Sequence, residues 1–339
     1  MNRTHRALVC RALSDDFSGL AVETLATPEP GPAEVLVRMR AASVNFPDLL
    51  MTQGRYQFRP ELPFVPGIEG AGEVAAIGRE ATNEPSAPRI GDRVLVHART
   101  GAFAAFNLLG AADVRPMPPA LDYAHAAAFQ AAAVTAYVAL VRRAALQPGE
   151  TLLVHGATGG VGMATVQLGK HLGARVIATG TSDEKLAQLR ALEGVETLNL
   201  AGGLREQVHA LTHGRGADVV FDPVGGDVFD ASVRCIAWGG RLLVVGFAAG
   251  RIPSVALNLP LIKGFSIVGV RAGEYGRRDP QRGAQNLREI DRLAGEGVLR
   301  PYICERFSIE RSIEALRHLA DRRVLGKVVI EMAGAGAAD

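Results

Sequence analysis

The sequence predicts an α/β protein of two domains, one of them an open parallel sheet wound with helices on both faces. Three observations carry this. The chain has 339 residues, more than one hydrophobic core usually organises, so two domains of about 100 to 200 residues each are expected. Near residue 126 its texture changes from short apolar runs broken by Pro and Gly to strands alternating with helices, the pattern of βαβ units. Within TLLVHGATGGVGMATVQLGKHLGARVIATG, residues 151–180, a strand, a glycine turn, a helix and a second strand close inside about 30 residues.

Taken in order, the runs EVLVRMRAASV (34–44), GAGEVAAIG (70–78) and GDRVLVHAR (91–99) read as short strands joined by turns. The apolar run AHAAAFQAAAVTAYVAL, Ala124 to Leu140, carries His125 and Gln130 and is mostly alanine. It falls short of membrane-spanning hydrophobicity and reads as a buried interdomain helix. Parallel-sheet strands are expected at 151–155, 175–180, 197–200, 218–222, 241–246 and 266–270, each short, apolar and rich in β-branched residues, as strands buried on both faces should be. A polar helix follows at 284–294. An amphipathic one follows at 308–321, with Ile313, Leu316 and Leu319 on one face, and KVVIEM (327–332) closes the chain as a strand.

Composition narrows the function. With 48% hydrophobic and 21% charged residues, the chain is that of a globular protein. A net charge of +2 without a block of like charges leaves no footprint for nucleic acid or an anionic membrane, so any bound anion should be small. Cys10, Cys235 and Cys304 are odd in number, far apart and without a CxxC. They read as core thiols in a reducing compartment. MNRTHRALVCRALSDDFSG contains no apolar segment of the secretory kind, and cytoplasmic residence is the expectation.

Gly156, Gly159, Gly160 and Gly162 let the backbone approach a pyrophosphate, whose charge is met by the N-terminus of the following helix. The end of the second strand selects the dinucleotide. A site for NAD places an acid there to bind the ribose 2′-hydroxyl, whereas this chain reads Gly180, Thr181, Ser182. Asp183 already lies in the next helix, Thr181 and Glu184 have the spacing of a capping box, and Lys185 and Arg190 follow. Small hydroxyl residues beside an ammonium suit a 2′-phosphate and point to NADPH. Lys185 also reads as a solvated helix residue.

FVPGIEGAGE, residues 64–73, sets Glu69 among small and apolar residues, where a free charge is costly. Metal ligand, catalytic acid and structural carboxylate are the three readings.

At this point the chain resembles the medium-chain dehydrogenase/reductase superfamily, in its zinc-independent quinone oxidoreductase branch. The resemblance rests on residues 45–74 (NFPDLLMTQGRYQFRPELPFVPGIEGAGEV), 135–140, the GATGGVG turn, 221–247, KGFSIVGV (263–270) and LGKVVI (325–330). It implies a GroES-like β-rich catalytic domain over 1–125 and 265–339, and a Rossmann doubly wound parallel-sheet NADP-binding domain over 126–264, with the cofactor in a cleft between them. It also implies a homodimer joined near SIVGV.

Zinc-dependent relatives carry a cysteine where this chain has Asn45 and a histidine where it has Ile68, and the VHARTGAFAAFNLLG stretch lacks the four cysteines of their structural zinc lobe. An amide and an alkyl group cannot replace the N and S ligands of zinc, so no metal is expected. Without a metal the acceptor should spread incoming charge itself, as quinones and enones do.

The resemblance names Tyr56, in Gly54-Arg55-Tyr56, and Asn45 as catalytic. The Tyr56 phenol either donates a proton or packs under the cofactor, and Asn45 orients ribose or substrate. By position, Thr158, Gly159, Gly160 and Val161 take the pyrophosphate, and Gly180, Thr181 and Lys185 the adenosine side. Gly246, Phe247 and Ala248 lie under the nicotinamide ribose, and Val270, Arg271 and Ala272 at the nicotinamide amide. Thr135 faces the nicotinamide, and Asn45 and Lys327 complete the cofactor contacts. Leu200 stands where relatives often have an aromatic residue. Arg271 either holds an anionic substrate or lies at the cleft rim. The leading function is NADPH-dependent hydride transfer to a quinone or other conjugated carbonyl. The alternatives are an enoyl-thioester reductase, with Arg55, Arg59 and Arg271 as phosphate contacts, and a non-catalytic NADPH-binding protein. In the first two the partner is a small-molecule substrate.

Overall fold

The structure, a computed structural model, describes residues 4–81, 87–192 and 194–332. The chain divides into two compact units, residues 1–130 with 301–339, and residues 131–300.

The first unit opens with the antiparallel pair β1 (Thr4–Cys10) and β2 (Leu20–Ala26). Then come β3 (Glu34–Ser43), α1 (Phe46–Thr52), β4 (Glu69–Ile77), β5 (Arg93–His97), β6 (Phe106–Gly110), β7 (Val114–Pro116) and α2 (Tyr123–Ala127). β3 is buried along most of its length and pairs antiparallel with both β4 and β6. Its apolar residues Val35, Val37 and Met39 join Leu8, Leu49, Met51 and Phe103 in one core.

α3 (Gln130–Tyr137) carries the chain into the second unit and continues into a π-helical turn at Val138–Arg143. There follow β8 (Thr151–Val154), α4 (Gly160–His171), β9 (Arg175–Gly180), α5 (Asp183–Arg190), β10 (Val195–Asn199), α6 (Leu204–Leu211), β11 (Ala217–Asp222) and α7 (Gly226–Cys235). After them come β12 (Ile236–Val244), α8 (Asn258–Lys263), β13 (Ser266–Gly269), α9 (Ala272–Arg278) and α10 (Pro280–Gly295). The six strands pair in the order β10-β9-β8-β11-β12-β13, every pair parallel. The strand order reverses between β8 and β11, and in such sheets ligands bind beyond the carboxyl ends at the reversal.

The chain then returns to the first unit through β14 (Ile303–Ser308), α11 (Ser312–Ala320) and β15 (Lys327–Glu331). β15 pairs parallel with β14 and antiparallel with β3, so the C-terminal strand completes a seven-stranded sheet, β14-β15-β3-β4-β5-β7 with β6 on β3.

Two expectations change. The second boundary between units falls at 300, not 264. β13 extends the parallel sheet by pairing with β12, Val270 N–H donates to Val244 O at 2.8 Å, and Arg142 Nε donates to Asn286 Oδ1 at 2.8 Å, so residues 265–300 belong to the second unit. The alanine-rich run is not one helix. Asp122 caps α2 by accepting from His125 N–H, the helix stops at Ala127, and a new one starts at Gln130. Alanine favours helix everywhere, but its lone methyl does not fix where a helix axis must end.

Candidate active site

The polar centre of the first unit lies where three strand ends meet. β3 ends at Ser43, and Asn45 sits just before α1. Asp48, in the first turn, reaches back so that its Oδ2 accepts from Asn45 N–H at 2.8 Å, half of a capping box. β4 starts at Glu69 and β15 at Lys327, and both strands pair with β3. Strand register therefore brings residues 45, 69 and 327 together.

Lys327 Nζ donates to Asn45 Oδ1 at 2.7 Å and to Glu69 Oε1 at 2.9 Å. Asn45 Nδ2 donates to Ser43 O at 3.1 Å and to the same Glu69 Oε1 at 2.9 Å. An ammonium only donates, so the Asn45 atom facing it must be the oxygen. Both amide hydrogens of Asn45 are then engaged, and the amide retains acceptor capacity alone. The side chains of Lys327 and Glu69 are 6% and 1% exposed. Glu69 is met by Lys327 and the Asn45 amide. Asp48 is fully buried. Burial, reinforced by the neighbouring Glu69 carboxylate, pushes its carboxyl up to about 7, against the lowering effect of the Asn45 N–H and Lys327.

This donor set does not fit a divalent ion. Asn45 Oδ1 and Glu69 Oε1 hold an ammonium between them, and Ile68, beside Glu69, packs against the apolar core. Among the described residues no group of three or more His, Cys, Asp and Glu is placed to hold a metal. Tyr56 is half-buried against the core of the same unit, after the turn at Gly54. Arg55 beside it is exposed and paired with Asp15 at 2.8 Å.

In the second unit the glycine turn packs tightly against the helix that follows it. Gly159 N–H donates to Gly156 O at 3.0 Å and α4 begins at Gly160. A Cβ on Gly162 would lie 2.2 Å from Gly156 O, so only glycine lets the first turn of α4 pass this close to the loop. Thr158 and Gly180 approach each other, a Cβ on Gly180 falling 3.6 Å from Thr158 Cγ2. At the end of β9 the cap of α5 is Ser182, whose Oγ accepts from Lys185 N–H at 3.3 Å. Thr181, expected to cap, lies one residue outside the helix and is exposed. Asp183 lies 3.5 Å from Arg190 in an ion pair.

Gly246, Phe247 and Ala248 follow β12, and Ala248 N–H donates to Pro223 O at 3.1 Å. Asp222 holds the facing turn, its Oδ1 accepting from Val224 and Gly225 N–H at 2.8 and 2.9 Å. Val270 is buried after β13, and Arg271 and Ala272 open α9. Thr135 lies in α3 with its hydroxyl on Ala131 O at 2.7 Å. The second unit thus brings Thr158 next to Gly180, while Asn45 and Lys327 meet in the first unit.

One residue with a defined role escaped the sequence reading. His155, at the end of β8, is fully buried between Thr179 Oγ1 at 2.8 Å and Ser232 Oγ at 2.7 Å. Burial pushes it down to about 3. Ser232 gives its own hydrogen to Val228 O, so His155 Nε2 carries the proton and Thr179 donates to Nδ1. The neutral ring ties the ends of β8 and β9 to α7 directly beneath the glycine turn.

One unit rich in strands with a buried polar cluster, and another built on a six-stranded parallel sheet with a glycine turn before its first helix, define a nucleotide-dependent dehydrogenase or reductase. Residues 31–141 match the alcohol dehydrogenase GroES-like domain, and residues 160–289 match the zinc-binding dehydrogenase family. The chain is 36% identical over 332 residues to quinone oxidoreductase-like protein 2 homolog of Nematostella vectensis, covering 97% of this chain and 89% of that one. It is 37% identical over 342 residues to a segment of mycoketide-CoA synthase of Mycobacterium tuberculosis, covering 95% of this chain but 8% of that protein. Among solved structures, a probable oxidoreductase from Mycobacterium abscessus superposes with TM-score 0.87 at 36% identity, covering 98% and 100% of the two chains. A mycobacterial protein solved in complex with NADPH superposes with TM-score 0.87 at 28% identity, covering 96% and 99%. The chain belongs to the medium-chain dehydrogenase/reductase family, in its quinone oxidoreductase-like branch. Its two units are accordingly a GroES-like domain and a Rossmann domain, and no described helix is long and apolar enough to cross a membrane.

Proposed function

We propose that this protein is an NADPH-dependent oxidoreductase that reduces a quinone or another conjugated carbonyl without zinc. One observation carries the metal-free reading: a buried ammonium, Lys327 Nζ, occupies the Asn45 and Glu69 oxygens. A divalent ion there would face that fixed positive charge with an amide and a carboxylate as its nearest ligands, where N and S donors are the rule.

NADPH, when bound, supplies the hydride. Thr158, Gly159, Gly160 and Val161 hold its pyrophosphate with backbone N–H groups at the start of α4. Gly180 and Thr181 leave room for the 2′-phosphate and Lys185 neutralises it; no acidic side chain stands at the end of β9 to repel it. Thr135, Gly246, Phe247, Ala248, Val270, Arg271 and Ala272 line the nicotinamide end. Asn45, left only with acceptor capacity, orients a hydroxyl group of cofactor or substrate. The Tyr56 phenol gives the proton that accompanies the hydride, so the conjugated acceptor gains one hydride and one proton. A charge spread over a conjugated system needs less electrostatic help than an isolated alkoxide, which is why such acceptors suit a site without a Lewis acid.

A second reading, reduction of an enoyl thioester, draws support from the likeness to a segment of mycoketide-CoA synthase. The engagement of Arg55 by Asp15 weighs against it, since a thioester carrier phosphate would have to displace that pair. Parallel NADPH-oxidation assays with a quinone, a simple enone and an acyl-CoA enoate separate the two. Fastest turnover of the quinone or enone supports the leading reading, fastest turnover of the acyl-CoA favours the second, and activity that tracks zinc content overturns the metal-free assignment. We further propose a homodimer joined at the β13 edge of the Rossmann sheet. Near it Trp238, Leu261 and Ile262 stand 79%, 79% and 65% exposed, and light scattering tests the dimer.

A further inference from the structure

We propose that the Lys327 ammonium is the resident cation of a buried anionic seat in the GroES-like unit, and that it acts on the reaction by locking the Asn45 amide in one orientation. The proposal rests on the reading of Asn45 as a site residue, and it gives Lys327 the task of a positioning residue instead of a cofactor contact.

The lock is a closed triangle. Lys327 Nζ donates to Asn45 Oδ1 at 2.7 Å and to Glu69 Oε1 at 2.9 Å, and Asn45 Nδ2 donates to Glu69 Oε1 at 2.9 Å. A donor-only group grips one end of the amide and an ionised acceptor grips the other, so a rotated amide would put N–H against ammonium and C=O against carboxylate. Free asparagine amides have no such preference. All three side chains are buried, where such contacts are strong and an unpaired partner is costly.

The seat is anionic because the Glu69 carboxylate is buried in it, 2.9 Å from Lys327 Nζ, and the buried Asp48 carboxyl adjoins it by accepting from Asn45 N–H. Backbone geometry keeps the cation in place. Lys327 N–H donates to Tyr302 O at 2.8 Å and Val44 N–H donates to Val328 O at 3.0 Å, so β15 cannot slide along β3 to withdraw it. Without the lysine side chain, a narrow hole remains that is lined by carbonyl and carboxylate oxygens. The ligand that fits this hole is a primary alkylammonium ion, with several N–H donors and a short apolar tail.

The test is chemical rescue of Lys327→Ala by propylammonium, with tetramethylammonium, which has no N–H, at the same ionic strength as control. The expected result is a loss of kcat/KM of about a hundredfold, the scale of a misoriented site group. Propylammonium then restores activity in a saturable manner and raises the melting temperature of the variant, and tetramethylammonium does neither. Lys327→Met, which fills the hole with an apolar side chain, should lose activity without being rescued. A folded Lys327→Ala that propylammonium neither activates nor stabilises overturns the proposal, and so does Lys327→Met with wild-type turnover. The melting arm needs no turnover, so it decides the proposal even if the wild-type protein reduces none of the acceptors tested; that failure would count against the proposed function alone.

Discussion

The Lys327 ammonium lies 2.7 Å from the Asn45 side-chain oxygen although 282 positions separate the two residues. Their meeting is a product of sheet register. β15 runs antiparallel to β3, with Val329 opposite Ser43, so the first residue of β15 arrives at the turn that follows β3. β4 pairs on the other side of β3, with Gly70 opposite Ala42, and delivers Glu69 to the same place.

Glu69→Gln should be strongly destabilising. It removes the carboxylate that meets a buried ammonium, and breaking a buried ion pair costs about 3–5 kcal/mol because the remaining charge is uncompensated. Urea denaturation of the two proteins measures the difference; a change below about 1 kcal/mol would show that the pair contributes no more than one on the surface.

Tyr56→Phe should lower kcat for conjugated acceptors by about a hundredfold, the lower end of what a positioned proton donor contributes. The KM for NADPH should stay unchanged, since the ring still packs against the core of its unit. Unchanged turnover with every acceptor would assign Tyr56 to packing.

Lys185→Ala should raise the KM for NADPH and leave that for NADH unaltered. A hydrogen bond to a charged group contributes about 1.5–3 kcal/mol, so a rise of about tenfold or more is expected. Steady-state kinetics with both nucleotides checks it, and a wild-type preference for NADH would remove the basis of the expectation.

Acid should destabilise the Rossmann unit through His155. Its folded value is depressed to about 3 from an ordinary 6.5, so the unfolded chain takes up a proton that the folded protein refuses. The neutral ring contributes its full stability above pH 6.5. That contribution falls by about 1.4 kcal/mol per pH unit on the way down to about 3. His155→Gln should be less stable than wild type at pH 8 and show a shallower decline with acid. Parallel slopes for the two proteins would exclude His155 as the cause.

Much of this molecule was legible because its chemistry is local. The strand positions in the Rossmann unit were readable from short β-branched runs, and the pyrophosphate turn from four glycines set between a strand and a helix. That Asn45 and Ile68 stand where zinc-dependent relatives carry a cysteine and a histidine was visible only through the resemblance to those relatives. The second boundary between the units was not, because SIVGV is a strand by composition in either unit and only its pairing with β12 assigns it. The alanine-rich run was misread as one helix for a related reason, since a bare methyl carries little information about where an axis must break. The cap of α5 moved from Thr181 to Ser182, a shift of one between two adjacent hydroxyl residues that serve equally well by type.

By itself, then, the sequence determined the α/β class and the nucleotide turn, since periodicity and glycine content act over a few neighbouring positions, and its resemblance over stretches such as 45–74 implied the family. Only the tertiary structure decided what neutralises Glu69. Its partner Lys327 lies 258 residues away, and such a pairing depends on which strands lie side by side and in what register, which the hydrophobic packing of the whole sheet sets.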